Sequence, residues 1–250
     1  MIVNRDDEAR GPAASFALVA GAYERGRPGY PDEAVRWLVG EEPRDVVDVG
    51  AGTGKLTRSL VALGHRVTAV EPLPEMLEQL VAAAPGAFDL LGSAEVIPLP
   101  DASADVVTAA QAFHWFDHDV ALPEIARVLR PHGRLAVIWN ARDDREPWVA
   151  ELSKTLGVES VARGDAEEPI AASGLFGPIE KATFEWAQRL DAPTLRDLAL
   201  SRSYVAIKPR EEQERILADV DRLFAEHAKK GELELPYITE GFRASKSVAA

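Results

Sequence analysis

A chain of 250 residues can bury a sizeable core, in one large α/β domain or in a domain with a modest cap. Its 28 basic against 41 acidic residues leave a formal net charge of -13, a field that repels nucleic acid and anionic membrane surfaces and favours a small-molecule partner. The absence of cysteine excludes disulfides, thiolate zinc sites and cysteine nucleophiles together, and no segment approaches the roughly 20 apolar residues of a membrane span. Asp6, Asp7 and Glu8 precede a mildly apolar stretch, unlike a secretory signal, so a cytoplasmic protein is expected. From Ala14 to Val39 the pattern predicts two short helices broken at Arg25-Gly26-Arg27-Pro28-Gly29-Tyr30-Pro31, where the prolines and glycines shape a loop. Strands are expected at 45–50, 66–71, 87–91, 104–110 and 133–140, with helices at 54–63, 74–84 and 119–130 between them. Such alternation argues a parallel sheet with crossover helices. Pro123 suits a helix only in its first turn, which makes Asp119 the expected N-cap, and Arg130-Pro131-His132-Gly133 reads as the stop signal. Further on, a helix over 147–156 follows Pro147, a loop rich in small and acidic residues runs from Gly157 to Ser173, and strands occupy Glu180 to Gln188 and Leu233 to Phe242.

Between those last two strands an insertion of about 45 residues reads as helical. Ile216, Leu217, Val220, Leu223 and Phe224 share one helical face there, and Gly231 is expected as the C-cap. Together these elements predict an α/β fold with a doubly wound, mostly parallel seven-stranded sheet and a helical cap inserted between the last two strands. The expected division is 1–40 as amino-terminal helices, 41–189 with 232–250 as a Rossmann-like binding domain, and 190–231 as the cap.

The stretch Val46-Val47-Asp48-Val49-Gly50-Ala51-Gly52-Thr53-Gly54 is a buried-type strand that ends in an acid and three glycines at alternate positions. Glycines at a strand-to-helix turn let the backbone approach a ligand closely, beside the free N–H groups of a helix start. The dinucleotide spacing G-x-G-x-x-G fails, because Lys55 stands where its third glycine belongs. The ATP-binding loop fails as well, with Val49 and Leu56 at its first glycine and its hydroxyl. Asp48 would repel a pyrophosphate but suits the ammonium of an amino-acid ligand. This motif resembles the first motif of the class I S-adenosylmethionine-dependent methyltransferases.

Glu71 ends the second strand, where doubly wound folds place an acid for ribose hydroxyls; the plain alternative is a solvated carboxylate. Pro72 and Met76 are candidate ligand walls, or equally a helix start and a core residue. The resemblance implies that Gly50, Ala51, Gly52, Thr53 and Gly54 hold the methionine end, and that the loop Gly92-Ser93-Ala94-Glu95 holds the adenine. Relatives usually carry an acid where this chain has Ser93, and Glu95 is the candidate to compensate. Gln111, after the fourth strand, resembles the position that approaches the methionine part. His114 is the candidate general base, since an unperturbed imidazole is largely neutral at physiological pH, or else it hydrogen-bonds its own loop. Tyr23 and Arg27 are candidates for the cofactor carboxylate, and Tyr30, Trp115 and Tyr204 for the acceptor. For the first three, the plain alternative is surface and packing roles. No metal site is expected, because the His114-Asp117-His118 group lacks an established ligand spacing. The run from Glu124 to Leu135 is also shared with small-molecule members of the class, which more often carry glycine at the position of His132. Arg27 to Pro31 and Phe113 to Phe116 resemble the subgroup similar to trans-aconitate methyltransferases. The expected activity is therefore transfer of a methyl group from S-adenosyl-L-methionine to a small organic acceptor. A nicotinamide-dependent oxidoreductase and a non-catalytic cofactor-binding module stand as alternatives.

Overall fold

The computed structural model describes residues 20–157 and 166–247. In chain order its elements begin with α1 (Ala20–Gly26), α2 (Asp32–Val39), β1 (Asp45–Val49), α3 (Lys55–Ala62), β2 (Arg66–Glu71), α4 (Pro74–Ala83), β3 (Phe88–Leu91) and β4 (Ala104–Ala110). After a 3₁₀ turn at Phe113–Trp115 come α5 (His118–Val128), β5 (Leu129–Arg142), α6 (Pro147–Thr155), α7 (Glu167–Ser173) and β6 (Glu180–Leu190). The chain continues through α8 (Ala192–Leu200), α9 (Ser203–Ala206), α10 (Arg210–His227) and β7 (Leu233–Ser245). Among the described residues, 28–142, 166–186 and 237–247 form one compact unit, and 20–27, 143–157 and 187–236 another.

The sheet has seven strands in the order β3-β2-β1-β4-β5-β7-β6. β1 runs parallel to both β2 and β4, while β5 and β7 are antiparallel. Chain order reverses at β1, which makes the carboxyl ends of β1 and β4 the switch point where such sheets bind ligands. Val46, Val47, Val49, Val67, Val70, Val106 and Val107 are all buried, as expected of strands covered on both faces. One apolar cluster joins Val35, Leu38, Leu56 and Leu60 to the sheet, and the other joins Phe113, Leu122, Ile125, Trp139, Ile170 and Phe242. The end of α2 is closed by guanidinium groups, Arg134 donating to the Leu38 carbonyl at 3.2 Å and Arg243 to that of Trp37. Within the second unit, Gly26 sits where a Cβ would lie 2.2 Å from the Leu198 nitrogen, so α1 and α8 meet backbone to backbone.

Several expectations shift. α2 belongs with the sheet instead of a separate amino-terminal segment, and 143–157 groups with the helices of the insertion. α5 starts at His118 with Asp117 at the N-cap position, so Asp119 lies in the first turn and Pro123 falls beyond it. Pro123 is exposed, on the solvent side, where a helix best tolerates a missing N–H. The stop signal that follows becomes a bulge: β5 pairs Leu129 with Ala104, slips, and resumes at Arg134 opposite Val106. His132 adopts φ 62° there, a left-handed conformation that favours glycine. Part of the expected loop before Ser173 is the helix α7, with Glu167 and Glu168 in its first turn, Ile170 buried and Gly174 as a left-handed cap. Residues 158–165 of that loop lie outside the described residues. Gly231 does not cap α10, which ends at His227 with Ala228 as its C-cap. It forms a two-residue hairpin turn with Lys230 instead, at φ 82° and 54°, closed by paired bonds between Lys229 and Glu232.

Candidate active site

In the sheet unit, the glycine loop leaves β1 beside β2. Gly50 and Ala51 both donate to the Val70 carbonyl, at 2.9 and 3.2 Å, and Gly54 donates to Ala51 at 2.9 Å. All three glycines have positive φ, at 65°, 57° and 83°. Their surroundings differ: a Cβ on Gly50 would lie 2.7 Å from that of Ala112, and one on Gly54 would lie 2.9 Å from Leu80 Cγ. Around a Cβ on Gly52 no atom of the described residues lies within 4 Å. Among the described residues, the middle of the loop therefore leaves room for a ligand to approach the backbone.

Asp48 is fully buried between Ala69 and Thr108 in register. Its Oδ2 accepts the Thr57 hydroxyl at 2.6 Å and its Oδ1 the Thr108 hydroxyl at 2.8 Å. Burial pushes the carboxyl up to about 6, against the hydrogen bonds that favour the anion. The open carboxylate expected for a ligand ammonium is thus not what Asp48 presents. Its oxygens tie the first helix after the glycine loop to the neighbouring strand. Thr57 and Thr108 went unnoticed in the sequence, although a lone hydroxyl in the apolar run Val106-Val107-Thr108-Ala109 is the signal that marks such a partner.

Glu71 is nearly buried, and its carboxylate accepts Gly52 N–H at 2.8 Å and Leu73 N–H at 3.1 Å. Burial raises its pKa while those backbone donors oppose the rise. It holds the middle glycine from below, with further lone pairs left on each oxygen. Pro72 is exposed, Met76 and Thr53 are buried, and Ala51 is half-buried. Gly92 donates to the Glu71 carbonyl at 3.2 Å, which places the next loop beside this carboxylate. Ser93 there is half-buried and Ala94 buried, while Glu95 accepts the Asp117 N–H at 3.0 Å.

Gln111 follows β4 at φ 56°, strained for a residue with a side chain, and donates through Nε2 to the Asn140 carbonyl at 2.9 Å. Asn140 belongs to a directed relay that the sequence did not suggest. The Trp186 indole donates to Thr239 at 2.7 Å, Thr239 to Asn140 Oδ1 at 2.5 Å, and Asn140 Nδ2 to the Gly29 carbonyl at 2.7 Å, next to half-buried Tyr30. His114 and Trp115 are exposed on the turn after β4, their rings 4.8 Å apart. Loss of hydration lowers the His114 pKa, which favours the neutral imidazole a base requires. His118 donates to the Phe113 carbonyl at 3.0 Å and stacks on the Phe113 ring.

The structure brings together the candidates from Asp48 to Gln111 on successive strand ends, with His114 and Trp115 on the turn that follows. Arg27 belongs to the second unit, where its fork engages Ser201, with Nε to the hydroxyl at 2.9 Å and Nη2 to the carbonyl at 3.2 Å. The side chains of Tyr23 and Tyr204 lie outside the described residues.

Residues 47–137 match the family model of a methyltransferase domain. An uncharacterized methyltransferase of Mycobacterium tuberculosis is 46% identical over 240 residues, covering 94% of this chain and 97% of that one. The chain belongs to the class I S-adenosylmethionine-dependent methyltransferases. This methyltransferase is also similar to a malonyl-[acyl-carrier protein] O-methyltransferase of Methylococcus capsulatus, 34% identical over 168 residues, covering 63% of this chain and 58% of that one. Among solved structures it resembles a protein of Anaeromyxobacter dehalogenans provisionally assigned as a type II methyltransferase, with a TM-score of 0.65 and 26% identity, covering 88% of this chain and 97% of that one. These relatives carry the methyltransferase class in place of a nicotinamide oxidoreductase.

Proposed function

We propose that this methyltransferase moves the methyl group of S-adenosyl-L-methionine to an oxygen or nitrogen of a small organic acceptor. The observation that carries the reading is the room left at Gly52 among the described residues, with Glu71 bonded to the Gly52 amide and Glu71, Ser93 and Gln111 at or just past the ends of β2, β3 and β4. In this reading the glycine loop receives the methionine end, Glu71 the ribose hydroxyls, and Ser93 with the Ala94 backbone the adenine. Asp48 acts behind the loop, holding it through Thr57 and Thr108 and adding negative potential for an ammonium.

When bound, the cofactor supplies an electrophilic methyl on a positively charged sulfur. The protein's part is to align an acceptor and exclude water, since in-line transfer gains most from orientation. Tyr30 and Trp115 are proposed to face the acceptor. An ionised carboxylate needs no base, and the O-methyltransferase relative favours that class. With a phenol or amine, His114 Nδ1 or Nε2 would take the proton. The net charge of -13 favours a small-molecule acceptor over nucleic acid or a membrane surface, in keeping with a cytoplasmic enzyme.

Calorimetry with S-adenosylhomocysteine, then methyl-transfer assays on carboxylate, phenol and amine panels, tests the reading. Binding with turnover of one class is expected. Binding of NAD without S-adenosylhomocysteine would overturn it, and cofactor binding with no turnover on any panel would leave a non-catalytic binding module.

A further inference from the structure

The run from Glu124 to Leu135 has no part in the site so far, yet Glu124, Arg127 and Val128 are bonded to the loop that carries Ser93. That loop, residues 92–103, joins β3 to β4 without regular structure. Pro98 and Pro100 remove two of its backbone donors. The Ser93 and Val96 amides and carbonyls pair only at 3.3 Å. Two short bonds lie farther along, Leu99 N–H to the Ile97 carbonyl and the Ser103 hydroxyl to the Pro100 carbonyl, both at 2.7 Å, and α5 is bonded along the whole loop as a splint. At one end Glu95 accepts the Asp117 amide at the start of the helix, at 3.0 Å. At the other, Ala102 and Ser103 donate to the carbonyls of Arg127 and Val128, at 3.0 and 2.9 Å.

The middle is held by Arg127 and Glu124. Arg127 Nη2 donates to the Ile97 carbonyl at 3.0 Å, and Nη1 donates to the Leu99 carbonyl at 2.9 Å and to Asp101 Oδ1 at 2.6 Å. Nε and Nη2 fork onto Glu124 at 2.7 and 2.8 Å, and Glu124 in turn accepts the Ile97 amide at 2.8 Å. These are five bonds from a group with five N–H donors, so the guanidinium is saturated. The contact to Asp101 is exposed and contributes little. The bonds to the two carbonyls and to Glu124 matter more, because they are part-buried and Ile97 is a core residue.

We infer that Arg127, with Glu124, is a positioning residue that sets the shape of the Ser93-Ala94 loop and thereby its selectivity for adenine; this rests on reading that loop as the adenine site. A lysine cannot substitute, since an ammonium offers donors from one point where the guanidinium spans two carbonyls and a carboxylate.

The test compares the full chain with its Arg127→Ala, Arg127→Lys and Glu124→Gln variants, each checked for cooperative thermal unfolding. Calorimetry with S-adenosylhomocysteine and with S-inosylhomocysteine, in which an oxo group replaces the adenine amine, gives an affinity ratio. The wild type is expected to prefer the adenine compound. In both Arg127 variants its affinity should fall about tenfold, the inosine compound should lose less, and the ratio should move toward one. Should Arg127→Ala not fold, Glu124→Gln, which keeps the side-chain shape, reads the same ratio. Unchanged affinity, or an equal loss for both ligands with the preference retained, overturns the inference. A wild type that binds neither ligand overturns the adenine-site reading itself, a separate result.

Discussion

At the scale of single residues, the site is built on carboxylates whose partners matter more than their exposure. Asp48 is the sharpest case, because its pKa near 6 in the fold stands well above its ordinary value of 3.8. A raised carboxyl is neutral in both states below the ordinary value, and charging it within the fold costs stability as pH rises toward 6. The cost is on the order of 3 kcal/mol at neutral pH. Asp48→Asn carries no such cost. Its stability relative to wild type should therefore improve between pH 4 and pH 7 by that order, as read by urea unfolding at both pH values. A constant difference between the two proteins would show that Asp48 does not titrate in this range. The acid at the strand end was legible in the sequence, since an apolar run that stops at Asp48 before three glycines has few other readings. Its hydroxyl partners were not, because Thr57 and Thr108 come from a helix face and a neighbouring strand that only the register brings together.

At the scale of elements, the glycine loop separates folding from binding. Gly50→Ala must displace Ala112 and should destabilise strongly, whereas Gly52→Ala meets no atom of the described residues and bears the strain of its positive φ. That strain costs about 1–2 kcal/mol. Gly52→Ala is accordingly expected to fold with a modest loss of stability and to lose at least about tenfold in S-adenosylhomocysteine affinity, from a methyl group placed in the open space. Full affinity in calorimetry would move the ligand off this face. The bulge before Arg134 gives an independent check. His132→Gly relieves a left-handed residue at an exposed position and should stabilise by about 1 kcal/mol, seen as a higher thermal midpoint with unchanged ligand binding. The sequence showed a histidine where relatives more often carry glycine, and the positive φ supplies the physical reason for that preference. Pro123 misled in the other direction, because the rule that proline belongs to a first turn ignores how a solvent-facing turn tolerates a lost bond. α7 was hidden by its composition, since Glu167, Glu168 and two alanines suit a loop or a short helix equally until Ile170 finds its core.

At the scale of the whole molecule, the alternation of apolar strands and amphipathic helices was enough to specify seven strands and a doubly wound sheet. The partition of the chain into units was not, because α2 and residues 143–157 are assigned by packing partners distant in sequence. That partition bears on where a ligand acts. Every cofactor candidate from Asp48 to Gln111 lies in the sheet unit, while Arg27 is engaged within the other. Ligand that binds only the folded state adds RT ln(1 + [L]/Kd), so S-adenosylhomocysteine at 100 times its Kd should raise the unfolding free energy by about 2.7 kcal/mol, and NAD at the same concentration should add nothing. Hydrogen exchange locates the effect. Added protection is expected at the amides of residues 50–54 and 92–97, because the proposed site puts the methionine end on the glycine loop and the adenine on the Ser93 loop. Protection confined to the helices of residues 192–227 would place the ligand in the other unit and separate the stabilisation from the glycine loop.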